Sequence, residues 1–178
     1  MACSVVMDAK TQKPSVCNAL ETLLVSEEIA GSFLPIIGKL LSEKQVEIRA
    51  DESSRKLLGV DSVAVKPDDW KTEYLDLIIS MKIVSDVKEA IDHINHYGSH
   101  HSDCIITSSE ANANLFMNNV DSATVFWNVS TRFSDGEEFG FGAEIGISTD
   151  KLHARGPMAL RELTSYKYLI SGKGQTKT

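Results

Sequence analysis

Apolar and polar positions alternate along the chain in short blocks, and the period within each block predicts its structure. Residues 75–84 form a long apolar run that predicts a buried strand. Residues 86–97 place apolar side chains at the spacing of one helix face, and Gly98 follows as a stop signal. The same criteria predict further strands at 3–7, 23–25, 46–48, 103–107, 123–127 and 163–170, and further helices at 27–44, 54–58 and 109–118.

Predicted strands and helices therefore alternate along most of the chain, which favours an α/β layered fold with a largely parallel sheet. Residues 128–155 break this order, because glycine, serine, threonine and charged residues dominate there while several aromatic side chains persist. A long irregular segment of that kind is more often a functional loop than a linker. The polar residues 61–72, which contain Pro67, are predicted to form a loop.

Composition narrows the class of protein. The 178 residues are enough for one domain with a sizeable core. The formal net charge is -7 and the 18 basic residues are scattered, so neither nucleic acid nor a membrane is expected as a partner. No apolar stretch approaches the ~20 residues that span a bilayer, and no signal peptide is recognisable. Three cysteines without a CxxC pair fit free thiols in a reducing compartment, so we expect a cytoplasmic protein.

Cys17 lies in a segment whose pattern suggests reactivity. Pro14 and Ser15 can begin a short helix, with Ser15 as its N-cap and an apolar face following. In the first turn of such a helix, free backbone N–H groups and the dipole stabilise a thiolate and can hold the oxygen of a tetrahedral intermediate. Cys17 is therefore a candidate nucleophile, although a lone cysteine is commonly a small buried apolar residue.

Other groups of residues give weaker evidence for a functional site. His93 and His96 are three positions apart, but no cysteine or carboxylate falls at ligand spacing around them, so no metal site is predicted. Residues 140–146 have the wrong spacing for a dinucleotide fingerprint, and residues 172–174 lack the second half of a P-loop. A cysteine hydrolase would need a histidine base, and His153 in the candidate functional loop is permitted as that base without a local signature.

Five blocks of sequence, taken in order, carry a family resemblance. They include the strings AKTQKPSVCNALET and NVSTRFSDG, and they cover residues 9–22, 72–77, 89–95 with 97–98 and 101–102, 128–136, and 139–149 with 152–157. These blocks resemble the gamma-glutamyl phosphate reductase family, also called glutamate-5-semialdehyde dehydrogenase, of the aldehyde dehydrogenase superfamily. The resemblance extends over nearly the whole chain.

The resemblance implies a fold and a domain organisation. It implies an aldehyde-dehydrogenase-like catalytic domain over residues 1–160, layered α/β/α with a mostly parallel sheet. It also implies an oligomerisation strand arm and tail over residues 161–178. The family's N-terminal NADPH-binding domain is expected to be absent from this chain, which would account for the missing glycine-rich site.

The resemblance also implies an activity. The family reduces L-glutamyl 5-phosphate to L-glutamate 5-semialdehyde with NADPH, the second step of proline biosynthesis, through a thioester on its cysteine. Position by position, the match gives Cys17 and Asn18 as catalytic residues and Glu73 and Leu75 as contacts of the nicotinamide cofactor. It gives a loop that anchors the far end of the substrate as Ser130, Thr131 and Arg132, of which Arg132 is chemically the most apt because a guanidinium binds a carboxylate or phosphate bidentately.

Partners and alternatives follow from the same comparison. The expected partners are the acyl phosphate substrate and a second copy of the chain bound through the C-terminal strand, with glutamate 5-kinase as a further candidate. The chain is alternatively an inactive remnant that cannot hold NADPH, or an assembly module. A cysteine hydrolase or acyltransferase that uses Cys17 and His153 is a further alternative.

Overall fold

Helices and strands alternate along the computed structural model, which describes residues 1–152 and 154–177. Two short 3₁₀ helices, Pro67–Lys71 and Thr131–Phe133, interrupt the alternation. The other elements are α1 (Ala2–Thr11), β1 (Thr22–Ser26), α2 (Glu27–Glu43), β2 (Glu47–Ala50), α3 (Glu52–Leu58), β3 (Val63–Ala64), β4 (Ile78–Val84), α4 (Val87–Tyr97), β5 (Ser102–Ile105), α5 (Glu110–Asn119) and β6 (Thr124–Trp127).

All strand pairs in the described residues are parallel. The main sheet has four strands in the order β1-β4-β2-β3, and β5 pairs with β6 in a second sheet of two strands. In β4, Ile79, Ser80 and Met81 are fully buried because this strand has a neighbour on each side. The predicted α/β fold with a mostly parallel sheet is confirmed.

Two apolar clusters hold the sheets and helices together. The larger cluster joins the main sheet to α1, α2 and α3, and the smaller joins β5 and β6 to α4 and α5. Leu34 and Ile37 of α2 are fully buried in the larger cluster, and each contributes roughly 2 kcal/mol of hydrophobic stabilisation. Gly38 allows α2 to approach α3, since a Cβ at this position would lie 2.9 Å from the carbonyl oxygen of Leu58.

The structure corrects the prediction for the N-terminal residues. Residues 3–7 were expected to form a strand but belong to α1, because the buried positions recur with a helical period. Cys3, Val6, Met7 and Lys10 lie at spacings of three and four and pack toward the core. The apolar run ends at Met7, whereas the helix continues to the buried Lys10.

The short helix predicted around Cys17 is also wrong. Residues 13–20 form turns instead of a helix. The backbone N–H of Leu20 donates to the carbonyl of Ala9 over 2.9 Å, which closes the segment into a loop rather than extending it along a helix axis. The consequence for the thiol is that it does not lie in the first turn of a helix.

The C-terminal residues 163–170 form no strand in the described part of this single chain. Their large apolar side chains are exposed, including Leu163, Tyr166, Tyr168, Leu169 and Ile170. The predictions for the other elements hold to within a few residues, and the loop at 61–72 contains β3 and the first 3₁₀ helix. Within the described ranges, no helix is both long and apolar enough to cross a membrane.

Candidate active site

Cys17 lies in the loop that connects α1 to β1. The N–H of Ala19 donates to the carbonyl of Val16 over 3.0 Å, so Cys17 sits inside a tight turn. Its side chain is a free thiol, and the residue is exposed. The turn therefore leaves residue Cys17 exposed, whereas Asn18 beside it is buried.

Asn18 ties this turn to a loop more than 100 residues away in sequence. Its Nδ2 donates to the carbonyl of Ser134 over 3.0 Å and to that of Arg132 over 3.4 Å. In return, Thr131 Oγ1 donates to the carbonyl of Asn18 over 2.7 Å. The structure thus brings Cys17 and Asn18 together with the predicted substrate-anchoring loop.

Asn18 also has a polar atom with no partner. The residue is only 4% exposed, and its Oδ1 is buried without a hydrogen-bond partner among the described residues. Buried acceptors in native proteins are nearly always paired, and the exceptions concentrate at functional sites. An unsatisfied acceptor next to the candidate nucleophile fits a site that is completed by a further group.

Arg132 is the cation of this site. Its Nε donates to Gln12 Oε1 over 2.7 Å, while Ser130 Oγ accepts from the Arg132 backbone N–H over 3.3 Å. Ser130 and Thr131 are buried and support the loop, whereas Arg132 is half-buried and reaches a cavity. The cavity measures about 300 Å³ and is lined by Asp8, Gln12, Arg132, Phe133, Asp135, Glu137 and Glu138.

The surroundings of Cys17 raise the pKa of its thiol. Loss of water around the sulfur is the largest cause of the raised pKa. The negative charges of Glu144 and Glu73 raise it further. The Cys17 backbone and the positive charge of Arg132 act in the opposite direction. The sequence argument expected a helix N-terminus to lower this pKa, and the absence of that helix reverses the direction.

Glu144 is held beside the anchoring loop. Burial, followed by the nearby charge of Asp135, raises the pKa of the Glu144 carboxyl, and the N–H of Gly136 donates to it. Gly136 permits this packing, because a Cβ there would lie 2.1 Å from the carbonyl oxygen of Ala143. Glu144 and Arg132 therefore act on the thiol from the same loop region, in opposite directions.

Glu73 and Leu75, the predicted cofactor contacts, lie on the segment that leads into β4. Both are exposed, and the charge of Glu73 is close enough to Cys17 to raise the pKa of the thiol. Leu75 adopts a left-handed backbone with φ 54°, and its N–H donates to Glu21 Oε1 over 3.3 Å. This segment therefore meets the cysteine loop.

The sequence argument missed Glu144 and Asp135. Neither has a local signature, because each acquires its place through contact between loops. A clue was available in the irregular segment 128–155, which combines glycines with charged residues.

In the described part of the chain, the histidines form neither a metal site nor a dyad with Cys17. His153 lies outside the described residues, so its predicted pairing with Cys17 stays a prediction. His93 is buried between the rings of Trp70 and Tyr97, with centroid distances of 5.0 and 4.7 Å. Residues 1–152 and 154–177 contain no group of three side chains able to hold a metal ion.

Comparison with known proteins gives first a fold and then a more specific similarity. No family model matches the chain. Aldehyde dehydrogenase 21 of Physcomitrella patens, solved with succinate, superposes with a TM-score of 0.53 at 13% identity, covering 71% of this chain and 34% of that protein. At this identity the likeness concerns the fold, and the fold is that of the aldehyde dehydrogenases.

Two closer relatives carry a more specific name. The gamma-glutamyl phosphate reductase of Francisella philomiragia is 56% identical over 176 residues, which are 99% of this chain and 42% of the relative. The crystal structure of gamma-glutamyl phosphate reductase from Thermotoga maritima superposes with a TM-score of 0.91 at 51% identity, covering 99% of this chain and 42% of that one. The chain is similar to gamma-glutamyl phosphate reductases over nearly its whole length and spans about 42% of the length of these relatives.

Proposed function

We propose that this chain supplies the nucleophile and the substrate-anchoring loop for the reduction of L-glutamyl 5-phosphate to L-glutamate 5-semialdehyde, a step of proline biosynthesis. One observation carries the proposal. Asn18, which follows Cys17 directly, is hydrogen-bonded to the loop of Arg132, so a thiol and a cation share one site. An acyl phosphate substrate needs both groups.

Cys17 performs the acyl transfer. Its thiolate attacks the acyl carbon of the substrate, the bond from that carbon to the phosphate oxygen breaks, and inorganic phosphate leaves while a thioester forms on the sulfur. Phosphate is a good leaving group, so the step needs less help from an acid or base than the cleavage of an amide does. Arg132 favours the thiolate electrostatically against the effects of burial and of the two glutamates.

Arg132 holds the substrate. Its Nε is committed to Gln12, and Arg132 lines the cavity of about 300 Å³. A planar guanidinium binds a carboxylate or a phosphate through paired hydrogen bonds. We assign to it an anionic end of the glutamyl phosphate, with Ser130 and Thr131 fixing the loop from beneath.

NADPH is the implied reductant. When bound, it supplies the hydride that converts the thioester to the aldehyde and releases the Cys17 thiolate. Glu73 fits a contact to the nicotinamide ribose, because its carboxylate is exposed and lies within electrostatic reach of Cys17. Leu75 lies on the same segment and presents an exposed apolar surface.

The test uses a chimera in which this chain replaces the matching part of the Francisella reductase. Cys17→Ser is expected to lower semialdehyde formation by about 10³-fold or more, since the nucleophile is lost. Cys104→Ser is the matched control, because Cys104 is a second free thiol whose Sγ donates to the carbonyl of Val129. Mass spectrometry without NADPH should detect a glutamyl adduct on Cys17 alone.

Two results would contradict the proposal. The first is a chimera with native sequence that is folded but forms no acyl adduct with the substrate. The second is an adduct, and turnover, that persist in the Cys17→Ser variant. An Arg132→Gln variant refines the outcome, because loss of substrate anchoring should raise the KM for the acyl phosphate more than it lowers kcat.

A further inference from the structure

A buried ion pair closes the loop that carries Cys17. Lys10, in the last turn of α1, is 0% exposed, and its Nζ donates to Glu21 Oε2 over 2.9 Å. Glu21 is 19% exposed in its side chain and directly precedes β1. A lysine is almost never fully buried unless it is paired, so this position is built around its partner.

The two residues of the pair flank the nucleophile in sequence. Lys10 and Glu21 are 11 positions apart, and Cys17 lies between them. Beside the ion pair, the N–H of Leu20 donates to the carbonyl of Ala9 over 2.9 Å. The loop is therefore fastened at its base twice, once through the backbone and once through side chains.

The same carboxylate reaches a second functional segment. While Glu21 Oε2 binds Lys10, Glu21 Oε1 accepts from the backbone N–H of Leu75 over 3.3 Å. Leu75 has a left-handed backbone conformation. This conformation is unfavourable for a bulky residue and persists only where surrounding contacts hold it. Ser80 N–H, within β4, also donates to the carbonyl of Glu21 over 2.9 Å, so Glu21 is joined both to the segment that leads into β4 and to the strand itself.

We infer that the Lys10–Glu21 pair is a positioning device that fixes the cysteine loop and the Glu73–Leu75 segment relative to each other. One carboxylate contacts both, so displacement of Glu21 moves the thiol and the cofactor-facing segment together. The inference rests on the proposed function, which assigns Cys17 to acyl transfer and Glu73 to the cofactor. Lys10 and Glu21 act through these residues and touch neither the thiol nor the substrate.

Burial of the Lys10–Glu21 pair is energetically costly, and its role in positioning explains why it is present. Burial lowers the pKa of Lys10 and raises that of Glu21, and each partner opposes the shift of the other. Asp76 also faces Lys10 electrostatically, and Glu73 faces Glu21. A buried ion pair is weak evidence for stability, whereas setting the register between two segments is a recognised use.

The first experiment follows the reactivity of Cys17 in the chain itself. Lys10→Met and Glu21→Gln each break the pair, and Glu21→Gln keeps an oxygen for the Leu75 N–H. Because burial raises the pKa of Cys17, a loosened loop admits water and increases the thiolate fraction. Alkylation of Cys17 by iodoacetamide at pH 7.5 should become about three- to tenfold faster in Lys10→Met.

Controls separate positioning from general loss of structure. Cys104 reports on the rest of the fold within the same molecule and should keep its alkylation rate. Lys82→Met breaks a second ion pair, which joins Lys82 Nζ to Glu89 Oε1 over 2.7 Å, and should leave the Cys17 rate unchanged. Equal acceleration at both cysteines, or at Cys17 in Lys82→Met, would overturn the inference.

The second experiment measures the reductase in the Francisella chimera. Lys10→Met should lower kcat and raise the KM for NADPH by about tenfold each, because a small displacement of reacting groups is costly. Gln12 and Asn18, which hold Arg132, belong to the same loop as Cys17, so Arg132 and the thiol are expected to move together. The KM for the acyl phosphate should therefore change less than twofold. If Lys10→Met does not fold, the isosteric Glu21→Gln supplies the same comparison.

The outcomes distinguish the two proposals. A native chimera without activity contradicts the proposed function, while the alkylation rates still decide whether the pair positions the loop. An active chimera in which Glu21→Gln leaves Cys17 alkylation, kcat and the KM for NADPH unchanged overturns the inference and leaves the proposed function standing. Similar changes in the KM for NADPH and in the KM for the acyl phosphate would also overturn the inference, because they indicate an unspecific structural effect.

Discussion

Among the described residues, two carboxylates and one cation act electrostatically on the thiol of Cys17. Glu144 is the charged group that raises its pKa most, followed by Glu73, and Arg132 acts in the other direction. A nucleophile in such a field is mostly a thiol at neutral pH, so its reactivity depends on small changes in these charges. The field can be tested by removing one charge without changing the size of the side chain.

Glu144→Gln is expected to lower the pKa of Cys17. The change removes a negative charge beside the sulfur, and the thiolate is then less disfavoured. The midpoint of the alkylation rate by iodoacetamide as a function of pH should shift to lower pH. Glu137→Gln in the same loop is the control, since Glu137 is not among the charges that act on Cys17. An unshifted profile in Glu144→Gln would show that its carboxylate does not face the thiol.

Local sequence indicated candidate residues for the site but not the environment around them. Cys17, Asn18 and Arg132 stand in strings that resemble a family, and the structure brings them together through hydrogen bonds. The direction of the Cys17 pKa was predicted wrongly. Glu144 reaches the site only through the packing of its loop on Gly136, and no nearby residue marks that contact in the sequence.

Among the elements, long periodic segments were predictable and short ones were not. Residues 86–97 carry a clear apolar face and form α4 as expected, with Asp86 accepting from the N–H groups of Lys88 and Glu89. The apolar run at 3–7 has too few residues to separate a strand from a helix. The turn around Cys17 contains a proline and a potential cap, but its backbone is engaged with α1 instead.

The packing of α4 on the first 3₁₀ helix predicts a pH dependence of stability. Burial lowers the pKa of His93 to about 4 from an ordinary value of 6.5, and the charges of Lys82 and His96 lower it further while Glu89 opposes them. Between pH 6.5 and 4 the unfolded chain binds a proton at His93 that the folded chain does not. Stability contributed by the neutral ring is therefore complete above pH 6.5 and lost as the pH falls toward 4.

His93→Phe should remove this dependence while keeping the aromatic contacts with Trp70 and Tyr97. Between pH 7 and pH 4 the native chain should lose about 2 kcal/mol more unfolding free energy than the variant. Urea denaturation followed by circular dichroism at several pH values measures the difference. His96→Phe, on the exposed side of α4, serves as the control. Equal pH profiles for the native chain and His93→Phe would mean that His93 titrates normally.

Across the whole molecule, the site depends on contacts between distant parts of the chain. Asn18 and Ser134 are 116 positions apart, yet their hydrogen bond joins the α1–β1 loop to the segment after β6. The alternation of strands and helices predicts parallel sheets, because a parallel pair needs a crossover between its strands. It does not predict which loops meet, since that depends on strand order, and the order β1-β4-β2-β3 follows no periodic signal.

The exposed C-terminal segment 163–170 has the composition of a strand and no strand to pair with in the described chain. Leu169 is 83% exposed and Ile170 is 92% exposed, which is unfavourable for apolar side chains unless another surface covers them. Pairing of this segment with a second copy would cover them and satisfy its backbone groups. We therefore expect the chain to self-associate through residues 163–170.

The double variant Leu169→Lys with Ile170→Lys should weaken this association, because buried lysines would repel each other and oppose desolvation. Sedimentation velocity over a concentration series should show a dissociation constant at least about tenfold larger, a difference of about 1.4 kcal/mol. Leu152→Lys is the control, since Leu152 is 93% exposed and lies outside the segment. A native chain that stays monomeric at high concentration would contradict pairing through this segment, as would an equal effect of the control. In either case the coverage of these side chains would have to come from a different surface, and the proposed division of the chain at residue 160 would lose its physical basis.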